Sequence, residues 1–89
     1  MGINIETFQG GGLYDANGQV IHIAVMPSGD IAMIDASRGL EYIFDAPTYP
    51  TNNLQRYVMD RYLRDCGRMA THEEDLFFSA MMQQIRGAA

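Results

Sequence analysis

Apolar and polar residues alternate in short runs up to about Pro50, with turn-forming residues between the runs; beyond it, apolar residues recur at helical spacing. Ile3-Asn4-Ile5-Glu6-Thr7-Phe8-Gln9 reads as a first strand, broken by Gly10-Gly11-Gly12. Asn17-Gly18 is a hairpin signal, because a type I′ turn needs positive φ at both central residues. A strand from Gln19 to Met26 follows, then the turn Pro27-Ser28-Gly29-Asp30, a strand from Ile31 to Asp35, the turn Ala36-Ser37-Arg38-Gly39 and a strand from Leu40 to Asp45. So close a succession of turns leaves no room for crossover helices, so the strands form an antiparallel meander. Alternation places Ile21, Ile23 and Val25 on one side and Val20, His22, Ala24 and Met26 on the other. In the last strand Leu40, Tyr42 and Phe44 point inward while Glu41 and Asp45 point out.

Two prolines in Ala46-Pro47-Thr48-Tyr49-Pro50 make a stiff link. Thr51, Asn52 or Asn53 caps a first helix whose stripe is Leu54, Val58, Tyr62, Cys66 and Met69, widened by Tyr57, Met59 and Leu63. Gly67 is the expected left-handed residue at its end. Thr71-His72-Glu73-Glu74 fits a capping box, and Phe78, Met81, Met82 and Ile85 form the core stripe of a second helix that ends at Gly87. A sheet this small needs a cover on its apolar face. The expected fold is α+β: an antiparallel β-meander of about four strands (residues 1–46) followed by an αα-hairpin (51–87) packed on one face, all in one domain spanning 1–89.

Composition narrows the functional classes. At 47% hydrophobic and 19% charged residues the chain is globular in type, and at 89 residues it leaves little room for a deep substrate cleft. A lone cysteine cannot form an internal disulfide, which points to a reducing, cytoplasmic setting. No apolar run reaches the length of a membrane span, and no basic start with an apolar stretch marks a signal peptide. The net charge of −5 opposes direct nucleic-acid or anionic-membrane binding. That charge lies in residues 1–50, where six acids face Arg38 alone; five acids and five arginines balance in the remainder.

Candidate chemistry is sparse. His22, His72 and Cys66 are the soft metal ligands, and no two lie at ligand spacing, so no metal is expected. Cys66, on the expected core face, reads as a small hydrophobe rather than a nucleophile. The serines lack an elbow or Ser-x-x-Lys context, and the triple glycine lies between strands in a chain without lysine, which excludes a phosphate loop. No catalytic residue, cofactor or enzymatic activity is expected.

Two charged surfaces remain. Asp15, Asp30, Asp35, Glu41 and Asp45 have almost no basic compensation, and Glu73, Glu74 and Asp75 add a second cluster; such a face steers toward a basic partner. Arg61, Arg64 and Arg68 follow i, i+3, i+7 spacing on the first helix, either as a solvated face with a pair such as Asp60–Arg64 or as a basic stripe. In size, charge and lack of catalytic motifs the chain resembles the small acidic proteins encoded by phages and mobile elements, anti-CRISPR proteins among them. The likeness is one of class and assigns no residue. It implies a non-enzymatic inhibitor or regulator of a nucleic-acid-handling protein, acting by occlusion or nucleic-acid mimicry. The expected partner-binding residues are Asp30, Asp35, Glu41 and Asp45 on the sheet, then Arg61, Arg64 and Arg68 on the helix. The alternatives are a homo-oligomeric structural or accessory subunit, a homodimer in the simplest case, and a nucleic-acid-binding module using the arginine stripe.

Overall fold

A computed structural model describes residues 2–10 and 18–87. The elements are β1 (Glu6–Gly10), β2 (Gln19–Val25), β3 (Ile31–Asp35), β4 (Leu40–Phe44), α1 (Leu54–Leu63) and α2 (His72–Gly87). The fold is α+β, as expected: a four-stranded antiparallel meander in the order β1-β2-β3-β4, followed by two helices, each packed on one face of it. Ile23 lies opposite Glu6 and Met33, and Met33 opposite Tyr42, so the pleats run in phase across the sheet. The β2–β3 and β3–β4 turns sit where the sequence places them, with Gly29 at φ 95° and Gly39 at φ 69°. Asp15 and most of the expected Asn17-Gly18 hairpin fall outside the described residues; Gly18 itself has φ 79°.

Each face of the sheet has its own core. Ile21, Ile23, Ile31, Met33 and Phe44 pack with Tyr57, Val58 and Tyr62 of α1. Ala24, Met26, Ala32, Ile34 and Ile43 pack with Phe78 and Met81 of α2, and Ile3, Ile5, Met82 and Ile85 flank them. Because side chains alternate along a strand, these are opposite faces. The helix pair is therefore opened out around the sheet instead of closing as a hairpin beside one face. All five residues of β3 are buried, the mark of a strand covered on both sides. Burial of each large side chain stabilises the fold by roughly 1.5–3 kcal/mol relative to exposure.

The crossing between faces runs along the outer edge of β4. α1 starts at Asn53, whose side chain accepts from the Arg56 N–H at 3.0 Å. It stops at Leu63, four residues before Gly67, the expected left-handed end. The Asp65 N–H donates to the Tyr62 carbonyl and the Cys66 N–H to the Arg61 carbonyl, a Schellman arrangement with Asp65 at φ 58°. Asp65 thus takes the left-handed position expected of Gly67. Cys66 and Met69, expected in the core stripe, are exposed. Gly67 serves a different need: a Cβ there would lie 2.9 Å from the Tyr42 Cβ, so only glycine lets the chain hug β4. Arg68 then exchanges both backbone hydrogen bonds with Ile43, at 2.9 and 3.0 Å. The capping box forms as expected, with the Thr71 N–H donating to Glu74 Oε1 at 2.9 Å and the Glu74 N–H to Thr71 Oγ1 at 3.4 Å.

Candidate functional site

The charged residues singled out by sequence divide into those consumed inside the molecule and those left over. Asp35 is fully buried. Its Oδ2 accepts from Gln19 Nε2 at 2.8 Å and from the Tyr62 hydroxyl at 2.9 Å; its Oδ1 accepts from the Ser37 N–H at 3.0 Å and the Arg38 N–H at 3.3 Å. It was expected on a partner-facing surface, and it is instead the polar lock between β2, the β3–β4 turn and α1. Burial raises the Tyr62 hydroxyl pKa above its usual value, against the opposing pull of the Arg38 guanidinium that donates to it. Asp30 is also spent internally: its Oδ1 accepts from the Ala46 N–H at 3.1 Å, and its Oδ2 lies 3.8 Å from Arg68.

The arginines do not make one stripe. Arg61 and Arg64 share Asp60, at 2.9 and 3.5 Å, and Arg61 also stacks 4.6 Å above the Tyr57 ring. Arg68 lies beyond α1 in the crossing segment, and its fork grips both Glu74 oxygens at 2.8 and 2.9 Å. That fork, with the Thr71 backbone bond, holds the Glu74 carboxyl down to about 2. The recess of about 370 Å³ at the start of α1 is polar, but two of its lining groups are engaged: Asn53 caps the helix and Asp60 holds the two arginines.

Glu41 stands apart. It is half-buried, and its carboxylate makes no ion pair or hydrogen bond among the described residues. It lines three adjoining recesses between β4 and α2. One, of about 240 Å³, is floored by His22, Ile34, Met82 and Ile85; a second, of about 270 Å³, lies between Leu40, Tyr42, Met69 and Asp75; the third, of about 580 Å³, runs along α2 past Asp75, Met82 and Arg86. Asp75 shares the last two with Glu41, and its carboxylate is likewise unengaged among the described residues. Met69 is 76% exposed at the rim. Asp45 is exposed on the strand end, and its carbonyl accepts from the Tyr57 hydroxyl at 2.9 Å.

At the inner end His22 is buried, and its Nδ1 shares a 2.8 Å hydrogen bond with Thr7 Oγ1. Burial lowers its pKa below the ordinary 6.5, so the ring is neutral at pH 7. The sequence placed His22 on the second face without a partner; Thr7, its cross-strand neighbour, supplies one. The crevice as a whole could not be read from the sequence, because it exists only where α2 crosses to the second face. No group of three or more metal-ligating side chains occurs among the described residues. What the crevice can do is accept cations and apolar side chains: two free carboxylates on the rim, an apolar floor and one basic residue, Arg86, on the far wall. No helix among the described residues is long and apolar enough to cross a membrane. Comparison with family models, curated proteins and solved structures finds no match.

Proposed function

We propose that this domain is a non-enzymatic binding module that takes a basic segment of one protein partner into the crevice between β4 and α2, and acts as an inhibitor or regulator of that partner. The observation that carries the reading is the Glu41 carboxylate: half-buried, unengaged among the described residues, and common to three adjoining recesses. Arg86 lines the same recess but pairs with neither acid, so an incoming Arg or Lys meets two carboxylates that are not already engaged among the described residues. Asp75 adds to the attraction and Met69 offers an apolar contact at the rim. A protein that handles nucleic acid presents basic segments of this kind, so an acidic crevice would occupy them in competition with phosphate. The arginine-stripe reading loses support, since Arg61, Arg64 and Arg68 are bound to acids of the same chain.

The test is affinity capture from a nuclease-treated bacterial lysate at low and high salt, with wild type and the Glu41→Arg/Asp75→Arg double variant. One stoichiometric protein captured by wild type, released by salt and absent from the variant supports the reading. Equal capture by the variant, with melting temperature unchanged, overturns it.

A further inference from the structure

We infer that the crevice binds its partner by strand addition: an extended segment carrying Arg or Lys pairs with the outer edge of β4 at Glu41. This deepens the proposed function and rests on it.

In an antiparallel ladder, alternate residues turn both backbone groups to opposite sides. Ile43 turns its N–H and carbonyl outward, where Arg68 takes both. Glu41, two residues earlier, therefore turns its own N–H and carbonyl the same way. The crossing segment leaves the edge directly after Arg68, since Thr71 must cap α2, and it gives Glu41 no backbone bond. The β4 edge thus already accepts one antiparallel residue pair and offers the next pair open. Between that open pair and Met69, Ala70 and Asp75 lies the recess of about 270 Å³. Beyond it lies open space, since a Cβ on Gly39 would meet nothing within 4 Å, but the Gly39 N–H is taken by the Asp35 carbonyl at 2.8 Å, so Glu41 is the one outward residue on this edge with both backbone groups open. An entering strand has room to continue past the β3–β4 turn.

Charge selects the occupant. A strand residue opposite Glu41 places its side chain on the same face, between Glu41 and Asp75. A cation there meets two carboxylates. A second copy of this chain paired about a two-fold axis at this position would set Glu41 against Glu41, and directly opposed like charges destabilise a ladder. The occupant is therefore a basic segment of another protein. A self-pairing edge would have to be β1, whose outward positions Thr7 and Gln9 carry no charge.

The probe is an acetylated, amidated Val-Arg-Val-Arg-Val peptide, read by amide hydrogen exchange and NMR shift mapping on the intact protein. Controls are the same peptide N-methylated at alternate backbone nitrogens, a Val-Glu-Val-Glu-Val peptide and the Glu41→Arg variant. The expected result is binding that slows exchange of the Glu41 amide at least tenfold, and that N-methylation, the acidic sequence and Glu41→Arg each abolish. Binding that survives N-methylation and leaves Glu41 exchange unchanged, yet is lost in Glu41→Arg, overturns strand addition while the acidic crevice stands. No binding at millimolar peptide overturns strand addition as well, and the capture experiment then judges the crevice separately. Protection appearing at Thr7, with the protein eluting as a dimer, overturns it in favour of self-pairing at β1.

Discussion

The two faces of the sheet were built to different rules. Under α1 the strands present Ile21, Ile23, Ile31, Met33 and Phe44, large side chains that close against Tyr57, Val58 and Tyr62 and enclose a satisfied carboxylate. Under α2 the central strands present Ala24 and Ala32, and the helix reaches in with Phe78 and Met81 while leaving recesses along its flank. The first face consumes its carboxylate, leaving Gln19 Oε1 as its one buried polar atom without a partner among the described residues. The second leaves Glu41 and Asp75 unspent. The sealed core and the proposed binding crevice are thus separated by the thickness of one sheet, so substitutions on the two sides are expected to have different consequences.

The largest effect is expected on the sealed side. Asp35→Ala leaves Gln19 Nε2, the Tyr62 hydroxyl and two turn amides without their acceptor, and the cost is about 3 kcal/mol or more, measured by urea denaturation. If the loss is below about 1 kcal/mol, the lock is not what joins α1 to the sheet. A matched pair of methionines sharpens the contrast. Met33→Ala, under α1, should cost about 2–5 kcal/mol, whereas Met82→Ala, half-buried on the crevice wall, should cost about 1 kcal/mol or less. Equal losses would mean the second face is packed as tightly as the first.

The smallest effect is set by pH. The Glu74 carboxyl sits at about 2 when folded and near 4.5 when unfolded, so the unfolded chain takes up the proton first. Its contribution is complete above about pH 4.5 and is lost as pH falls toward 2. His22 acts earlier and in the same sense: neutral when buried, it makes acid favour the unfolded chain once pH drops below about 6.5. Melting curves of Glu74→Gln should show a flatter decline between pH 4.5 and 2, and those of His22→Gln a flatter decline just below pH 6.5. Unchanged profiles would place the acid sensitivity elsewhere.

Much of the meander was legible because each turn announces itself locally. Gly29 and Gly39 adopt the positive φ their turns require, and β3 has the same limits in sequence and structure. The capping box at Thr71 was legible for the same reason. The end of α1 was not. The chain had to reach the edge of β4, and that tertiary demand put the left-handed residue at Asp65 and set Gly67 against Tyr42. The site was half legible. Alternation set Glu41 outward on β4, but Asp35 reads the same as its neighbours until Gln19 and Tyr62 are brought to it from 16 and 27 residues away. Nothing in a sequence marks which acids a fold will consume.

Gln84 of α2 accepts from the Ile3 N–H at 2.7 Å and donates to the Ile3 carbonyl, so one side-chain amide stands in for a neighbouring strand across 81 positions of chain. The β2–β3 and β3–β4 hairpins close over turns of a few residues, whereas this contact must wait for nearly the whole molecule. Loop closure over such a span slows formation more than it weakens the result. The expected order of assembly is the central hairpins first and the seal of Ile3 and Ile5 under α2 last. The crevice between β4 and α2 is therefore expected among the last parts of the molecule to take shape.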